Sequence, residues 1–339
     1  MKNASTGATR VRARIAAVGA YFPSRVVDNE ELLSTLTASF RLPGPDVLQR
    51  IFGIRTRHVA EPDEQVSDLA AAAARPMVDA VGRNDIDLLL FAAACADLIE
   101  PATANIVQQK LGLRCPALDI KNACNSFVSA MQVAAAFIEA GTYRRVLIAS
   151  GEKLSDALRR QFDDEQQFQE SLAALTLGDA GAAMLLEPCD QPDRGIIFQR
   201  FASFGAHWKL CTIQGGGSLH PRDMDAYYFR GQTAALRSVI ENEATAMWQA
   251  CQPELGWSAD EIAWVFTHQV SDGTRRAVID LIGVPPERCV DLFPARGNIA
   301  AAAIPACMAA VHDRLRPGDK LLLVGLAAGI ALSYQAVVW

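Results

Sequence analysis

Two stretches of this chain carry the same order of buried strands and helices, and that repeat limits the fold more than any single motif does. The first stretch opens on the apolar run Leu88–Ala92. A helix is expected over Thr103–Leu111, after which Gly112 leads into a short strand at 116–120. A second helix, 124–140, places Phe127, Ala130, Met131, Ala134 and Phe137 on one face and stops at Gly141. A strand at 145–149 completes the unit. The second stretch reads as a strand at 262–266, a helix near 275–281, a strand at 288–292, a helix over 298–312 ending before Pro317-Gly318, and a strand at 320–325. Asp119 and Asp291 hold matching places, 7 and 8 residues beyond Gly112 and Gly283. Such alternation in two related halves predicts an α/β protein with two parallel-rich sheets and helices around and between them. The chain divides accordingly into residues 1–187 and 188–339.

At 339 residues, half of them hydrophobic, each half is long enough to bury its own core. Thirty-two basic against 38 acidic side chains give a net charge of −6 with no basic block, which gives no support to a nucleic-acid or anionic-membrane role. The eight cysteines form no CxxC pair and have no histidine spaced to complete a zinc site. They read as thiols of a reducing, cytoplasmic compartment, and no metal is expected. Residues 321–339 run without a charge for 19 residues, the length of a membrane span. Gly325, Gly329, Ser333, Tyr334 and Gln335 interrupt them, so two buried strands, LLLVGL and ALSYQAVVW, joined at 327–329, are expected instead. The first residues, MKNASTGATRVRAR, have no apolar run and read as a tail before the first strand, not a secretory signal.

Cys124 is the first candidate for chemistry. It follows a strand through a short turn and opens a helix, where unsatisfied N–H groups and the helix dipole would lower a thiol's pKa. Its own N–H is placed to help hold an oxyanion; the alternative is a small buried hydrophobe. His268 ends the strand Trp264-Val-Phe-Thr-His, at the place Ala94 or Cys95 occupies in the first half. Taken alone it reads equally as a satisfied core histidine. Asn298, in Arg296-Gly-Asn-Ile-Ala, is by itself a good helix cap. The repeat sets Cys124 and Asn298 on the starts of two related helices, with His268 on a strand end between the halves. Leu177-Gly-Asp-Ala-Gly is a glycine turn entering an apolar strand, and there is no GxGxxG fingerprint, so no dinucleotide cofactor is expected. Val324-Gly-Leu-Ala-Ala-Gly329 is a turn of small residues that lets backbone N–H groups approach a ligand.

These pieces resemble the ketoacyl-acyl-carrier-protein synthase III branch of the thiolase superfamily. The resemblance rests on Asp119-Ile-Lys-Asn-Ala-Cys-Asn-Ser-Phe, Gly178-Asp-Ala-Gly-Ala-Ala, Thr267-His-Gln, Gly297-Asn with its alanine-rich helix, and the C-terminal turn, in an order covering nearly the whole chain. It implies the five-layered αβαβα thiolase fold and a homodimer. It also implies a catalytic set of Cys124, His268 and Asn298 with the backbone of Ala328 as oxyanion donor, and no cofactor. The implied partners are thioesters on acyl carrier protein or coenzyme A, condensed in fatty-acid or polyketide-type synthesis. Two departures stand out near Gly53-Ile54-Arg55. Val47 takes the place of an adenine-stacking Trp and Ile51 that of an Arg, which favours a carrier-protein thioester. A third is Glu100, which resembles the glutamate of olefin-pathway head-to-head condensing enzymes, a base acting in the partner's site; the alternative is a surface carboxylate. Non-decarboxylative condensation with Glu100 as base, acyl transfer to an alcohol or amine, and a non-catalytic acyl-binding subunit remain as alternatives. An intact Cys–His–Asn set argues against the last.

Overall fold

The structure is a computed structural model that describes residues 11–339, so the expectation for the first ten residues lies outside it. Residues 12–189 supply one five-stranded sheet: β1 (Arg12–Tyr21), β2 (Leu88–Ala92), β3 (Ala117–Ile120), β4 (Val146–Lys153) and β5 (Asp179–Cys189), in the order β1-β5-β4-β2-β3. Residues 195–338 supply a four-stranded sheet: β6 (Gly195–Ser203), β7 (Ile262–Thr267), β8 (Lys320–Ala327) and β9 (Ala331–Val338), in the order β6-β9-β8-β7. The helices that pack on them are α1 (Val66–Val81), α2 (Thr103–Leu111), α3 (Ser126–Glu139), α4 (Thr233–Leu255), α5 (Asp272–Ile282) and α6 (Ala303–Ala310).

The period-2 alternation of buried strands builds the layers. In β2, Leu88, Leu90 and Ala92 face a central cluster shared with Phe127, Met131 and Ile138 of α3 and Ile304, Cys307 and Met308 of α6. Leu89 and Phe91 face the other way, onto Ala70, Ala74 and Val78 of α1 and Val107 and Leu111 of α2. In β8, Leu321 and Leu323 join the central cluster, while Leu322 and Val324 meet Met247 and Trp248 of α4 and Ile279 of α5. The layers therefore run α1/α2, first sheet, α3/α6, second sheet, α4/α5, the five-layered αβαβα arrangement of thiolase-like proteins.

Three expectations are corrected. The sheets are mixed: β2 is parallel to β3 and β4, and β7 to β8, but β4–β5, β1–β5, β8–β9 and β6–β9 are antiparallel. The turn at 328–330 is too short for any parallel crossover. The strand at 288–292 is absent; only Cys289 bridges to Val265. The side chain of Gln269 takes the backbone bonds a neighbouring strand would have made. Its Oε1 accepts from Leu292 N–H and Phe293 N–H, both at 3.0 Å, and its amide donates to Val290 O. Third, the residues after Asn298 form a 3-10 turn, Ala300–Ala302, before α6, and a further 3-10 turn follows at His312–Arg314. The two C-terminal strands are formed as expected, and among the described residues no helix is long and apolar enough to cross a membrane.

Candidate active site

Cys124 lies where the chain leaves β3 and bends into α3. Ala123 just before it has φ 46°, a left-handed conformation uncommon for alanine. The bend is braced locally: Ser126 Oγ donates to Ala123 O at 2.7 Å and accepts from Asn122 N–H at 2.8 Å. The helix accordingly begins at Ser126, and Cys124 stands ahead of it rather than in its first turn. The half-buried thiol packs on an apolar cluster that includes Val47, Leu48, Phe162, Phe168, Leu177 and Ala300. Burial pushes its pKa up, with Cys211 and Glu152 adding to the effect. Backbone hydrogen bonds from Ala328 and from Cys124 itself work the other way and do not win. The expected dipole-lowered thiol is thus corrected: desolvation dominates, and the resting sulfur carries its proton.

His268 is the first residue beyond β7, with its N–H bonded to Val324 O of β8 at 3.2 Å. The ring is buried, and desolvation lowers its pKa to about 4 against the opposing pull of a backbone contact with Ala300. The imidazole is therefore neutral at pH 7.

Asn298 is zippered onto the Thr176–Gly178 turn: its N–H donates to Thr176 O at 2.8 Å, and its carbonyl accepts from Gly178 N–H at 3.0 Å. The approach requires glycine on both sides. A Cβ on Gly297, at φ 71°, would lie 2.5 Å from Thr176 O, and one on Gly178 would lie 2.3 Å from Arg296 O. Asn298 Oδ1 accepts from Ala300 N–H at 3.1 Å, a local i→i+2 bond that anchors the carboxamide by its oxygen. Among the described residues, its Nδ2 has no hydrogen-bond partner.

Ala300 draws the set together. It contacts the His268 ring through its backbone, donates to Asn298, and packs in the cluster that carries Cys124. Ala328, in the turn after β8, reaches Cys124 from the other half. Glu100 stays apart: it is exposed, on a loop whose Leu98 and Ile99 are exposed too. Val47 is buried in the apolar cluster, whereas Ile51 is exposed.

Sequence reasoning missed Glu152. It is fully buried on β4, its Oε1 accepting from Ala94 N–H at 2.8 Å and Ala301 N–H at 3.2 Å and its Oε2 from Cys95 N–H at 3.1 Å. Burial raises its carboxyl pKa to about 7 despite those donors. An acid near the end of a buried, mostly apolar strand was the available signal.

Two family models match the chain, 3-oxoacyl-[acyl-carrier-protein] synthase III over residues 118–205 and its C-terminal counterpart over residues 253–339. The chain belongs to this family. A beta-ketoacyl-[acyl-carrier-protein] synthase III from Rhizorhabdus wittichii is 30% identical over 96% of this synthase III-family chain and 99% of its own. An acyl-CoA:acyl-CoA alkyltransferase from Xanthomonas campestris is also 30% identical, over 87% of this chain and 88% of its own. Among solved structures, Xanthomonas campestris OleA with bound lauric acid and lauroyl-CoA superimposes with a TM-score of 0.86 at 28% identity, covering 97% of this chain and 99% of that one. The FabH enzyme of Xanthomonas oryzae gives 0.84 at 28% identity, covering 97% and 99%.

Proposed function

We propose that this synthase III-family member is an acyl-condensing enzyme with Cys124 as its acyl carrier. The sulfur attacks the carbonyl of an incoming acyl thioester; the new S–C bond forms as the old one breaks, and the Cys124 proton leaves with the departing thiol. The N–H groups of Cys124 and Ala328 hold the oxyanion during this exchange, a kind of contact worth about 3–4 kcal/mol per donor. A second thioester then places its carbonyl against neutral His268 and the unpaired Nδ2 of Asn298. These stabilise the enolate left by decarboxylation or deprotonation; the enolate carbon bonds to the acyl-Cys124 carbonyl as its C–S bond to Cys124 breaks, and the released sulfur takes a proton from solvent. The observation that carries this reading is the convergence on Ala300, whose N–H bonds the Asn298 carboxamide, whose backbone meets the His268 ring, and whose side chain packs in the cluster that carries Cys124. The apolar cluster under Cys124 suits an acyl chain, and the relatives named for acyl-carrier-protein and acyl-CoA substrates support both thioester donors.

The two sheets, residues 12–189 and 195–338, support a division into halves near the proposed 1–187 and 188–339, and a homodimer would close the open edge at β3, where Leu118 is exposed. Eight free thiols support a cytoplasmic setting. Intact-protein mass spectrometry after incubation with acyl thioesters on carrier protein and on coenzyme A tests the main reading. The parent chain gains the acyl mass and Cys124→Ala does not; acylation persisting in that variant sinks it.

A second reading, head-to-head condensation with Glu100 as base across the dimer, is favoured by one observation: Leu98 and Ile99 flank this exposed carboxylate as a partner's apolar setting would require. Glu100→Gln then abolishes condensation of non-malonyl substrates while Cys124 still loads. Mixing it with Cys124→Ala subunits restores about one working site per heterodimer. Full activity of Glu100→Gln on such substrates returns Glu100 to the surface.

A further inference from the structure

The residue after the candidate nucleophile behaves unlike an ordinary helix cap. Asn125 occupies the N-cap position of α3, where asparagine's usual use is to bond the helix's own free N–H groups, yet its side chain makes no capping bond. It is fully buried, and its Nδ2 donates at 2.9 Å to Ala331 O, a residue 206 positions away in the other half. Ala331 is the first residue of β9, directly after the turn that presents Ala328. That turn is conformationally demanding: Gly329 has φ 76°, and Ile330, a branched residue, has φ 52°.

The neighbouring strand is shaped around the same amide. A Cβ on Gly325 would lie 2.3 Å from Asn125 Oδ1 and 2.3 Å from Ser333 Oγ. Gly325 pairs with Ser333, and Ala327 with Ala331, in the β8–β9 ladder. Asn125 Oδ1 and Ser333 Oγ are buried there without a hydrogen-bond partner, a cost accepted at a place where the amide's donor end is engaged.

We propose that Asn125 is a positioning residue for the oxyanion site: its amide straps the Cys124 bend to the Ala328 turn and sets the spacing of two backbone N–H donors that come from different halves. The inference rests on the acyl-transfer reading above and names a further residue for that same site. The physical case is one of tolerance. Oxyanion donors act only when held about 2.7–3.1 Å from the developing charge, and misplacement by about 1 Å costs on the order of a hundredfold. The bond from Asn125 to Ala331 does not involve the sulfur, whose own bonding changes during the reaction. The Asn125 amide is a link that stays constant while Cys124 is acylated and released.

The test compares two reactions of Cys124 in the same samples. Alkylation by iodoacetamide needs the sulfur but develops no oxyanion; acylation by lauroyl-coenzyme A needs both. Each is followed at the Cys124 peptide by mass spectrometry, on protein that keeps its cooperative melting transition. For Asn125→Ala, acylation is expected to slow by tenfold or more while alkylation stays within about twofold of the parent. Gly325→Ala presses on the same amide from the opposite strand and is expected to give the same split. Equal loss of both reactions, or no loss of either, overturns the proposal and leaves Asn125 a scaffold residue. Loss of the fold in both variants overturns it in the same way. A parent chain that is alkylated at Cys124 but loaded by no thioester defeats the acyl-transfer reading itself, and the strap proposal falls with it.

Discussion

In both halves a left-handed alanine stands three residues ahead of the central helix, Ala123 before Ser126 and Ala300 before Ala303. In the N-terminal half the next residue is Cys124, left beside the apolar cluster with its thiol free. In the C-terminal half the matching residue is Ala301, whose N–H is bonded to Glu152. There the polar groups sit upstream instead, Asn298 two residues before the alanine and His268 on the strand end behind it. The sheets differ in the same spirit. The first ends in β3, an edge with exposed side chains, while at the matching edge of the second the Gln269 side chain has replaced a strand. A duplicated scaffold thus differs between its halves: one carries the candidate nucleophile and an open edge, the other the candidate hydrogen-bond donors in a closed, polar-braced setting.

The largest expected effect comes from removing that difference. His268→Ala and Asn298→Ala take away the second half's polar groups but leave Cys124, its N–H and Ala328 in place. Loading of Cys124 is expected to persist, while carbon–carbon bond formation falls by about a hundredfold or more. Single-turnover loading measured against product formation reads the split. Normal condensation by Asn298→Ala would reduce Asn298 to the local backbone brace that its bond to Ala300 already makes it. The same logic fixes the pH profile. With the imidazole pKa near 4 and the thiol pKa raised, loading is expected to rise steadily with pH above 6 and to show no inflection near 6.5. Such an inflection, lost in His268→Ala, would contradict the neutral ring.

Gln269 tests the closed edge. Gln269→Ala leaves two backbone N–H groups and one carbonyl of residues 290–293 unpaired in a half-buried segment. At about 1–3 kcal/mol for a buried unsatisfied group, and allowing for water entry, the expected loss is about 2–4 kcal/mol in urea unfolding. A change below about 0.5 kcal/mol would mean that the segment holds itself and the missing strand has another cause.

The order of elements was legible in the sequence because buried strands and helices announce themselves by local period. Leu88–Ala92 and Thr103–Leu111 have the expected bounds. Cys124, His268 and Asn298 were singled out as candidates, each by its place at an element's end, and the structure sets all three around Ala300. What escaped works through partners far along the chain. Gln269, Glu152 and Asn125 act on backbone groups 21–24, 57–149 and 206 residues away, and no spacing within a motif reports such partners. The strand expected at 288–292 failed for the same reason, since its ladder bonds were taken by a side chain from another element. The start of α3 was misplaced by two residues because nothing marks Ala123 for a positive φ, which glycine would have marked.

Glu152 allows the finest test, because it is held by both halves at once. Its carboxyl pKa is raised from 4.5 to about 7. Between those values the folded chain keeps a proton that the unfolded chain has lost, so its contribution to stability is full below pH 4.5 and declines as pH rises toward 7. His268 runs the other way: with its pKa lowered from 6.5 to about 4, it costs stability as pH falls across 6.5 to 4. The two slopes oppose each other, so the unfolding free energy of the parent alone is nearly uninformative in this window. The informative quantity is the difference between the parent and Glu152→Gln, in which His268 cancels. The substituted carboxamide cannot titrate, and the clash of its NH2 group with a backbone N–H lowers stability by an amount that does not vary with pH. The parent's advantage over Glu152→Gln is therefore expected to shrink by up to about 3 kcal/mol between about pH 4 and pH 8, the size set by the rise from 4.5 to about 7. A difference that stays flat across that range would show that Glu152 is ionised throughout, held by the N–H groups of Ala94, Cys95 and Ala301 as a permanent anion at the junction of the halves.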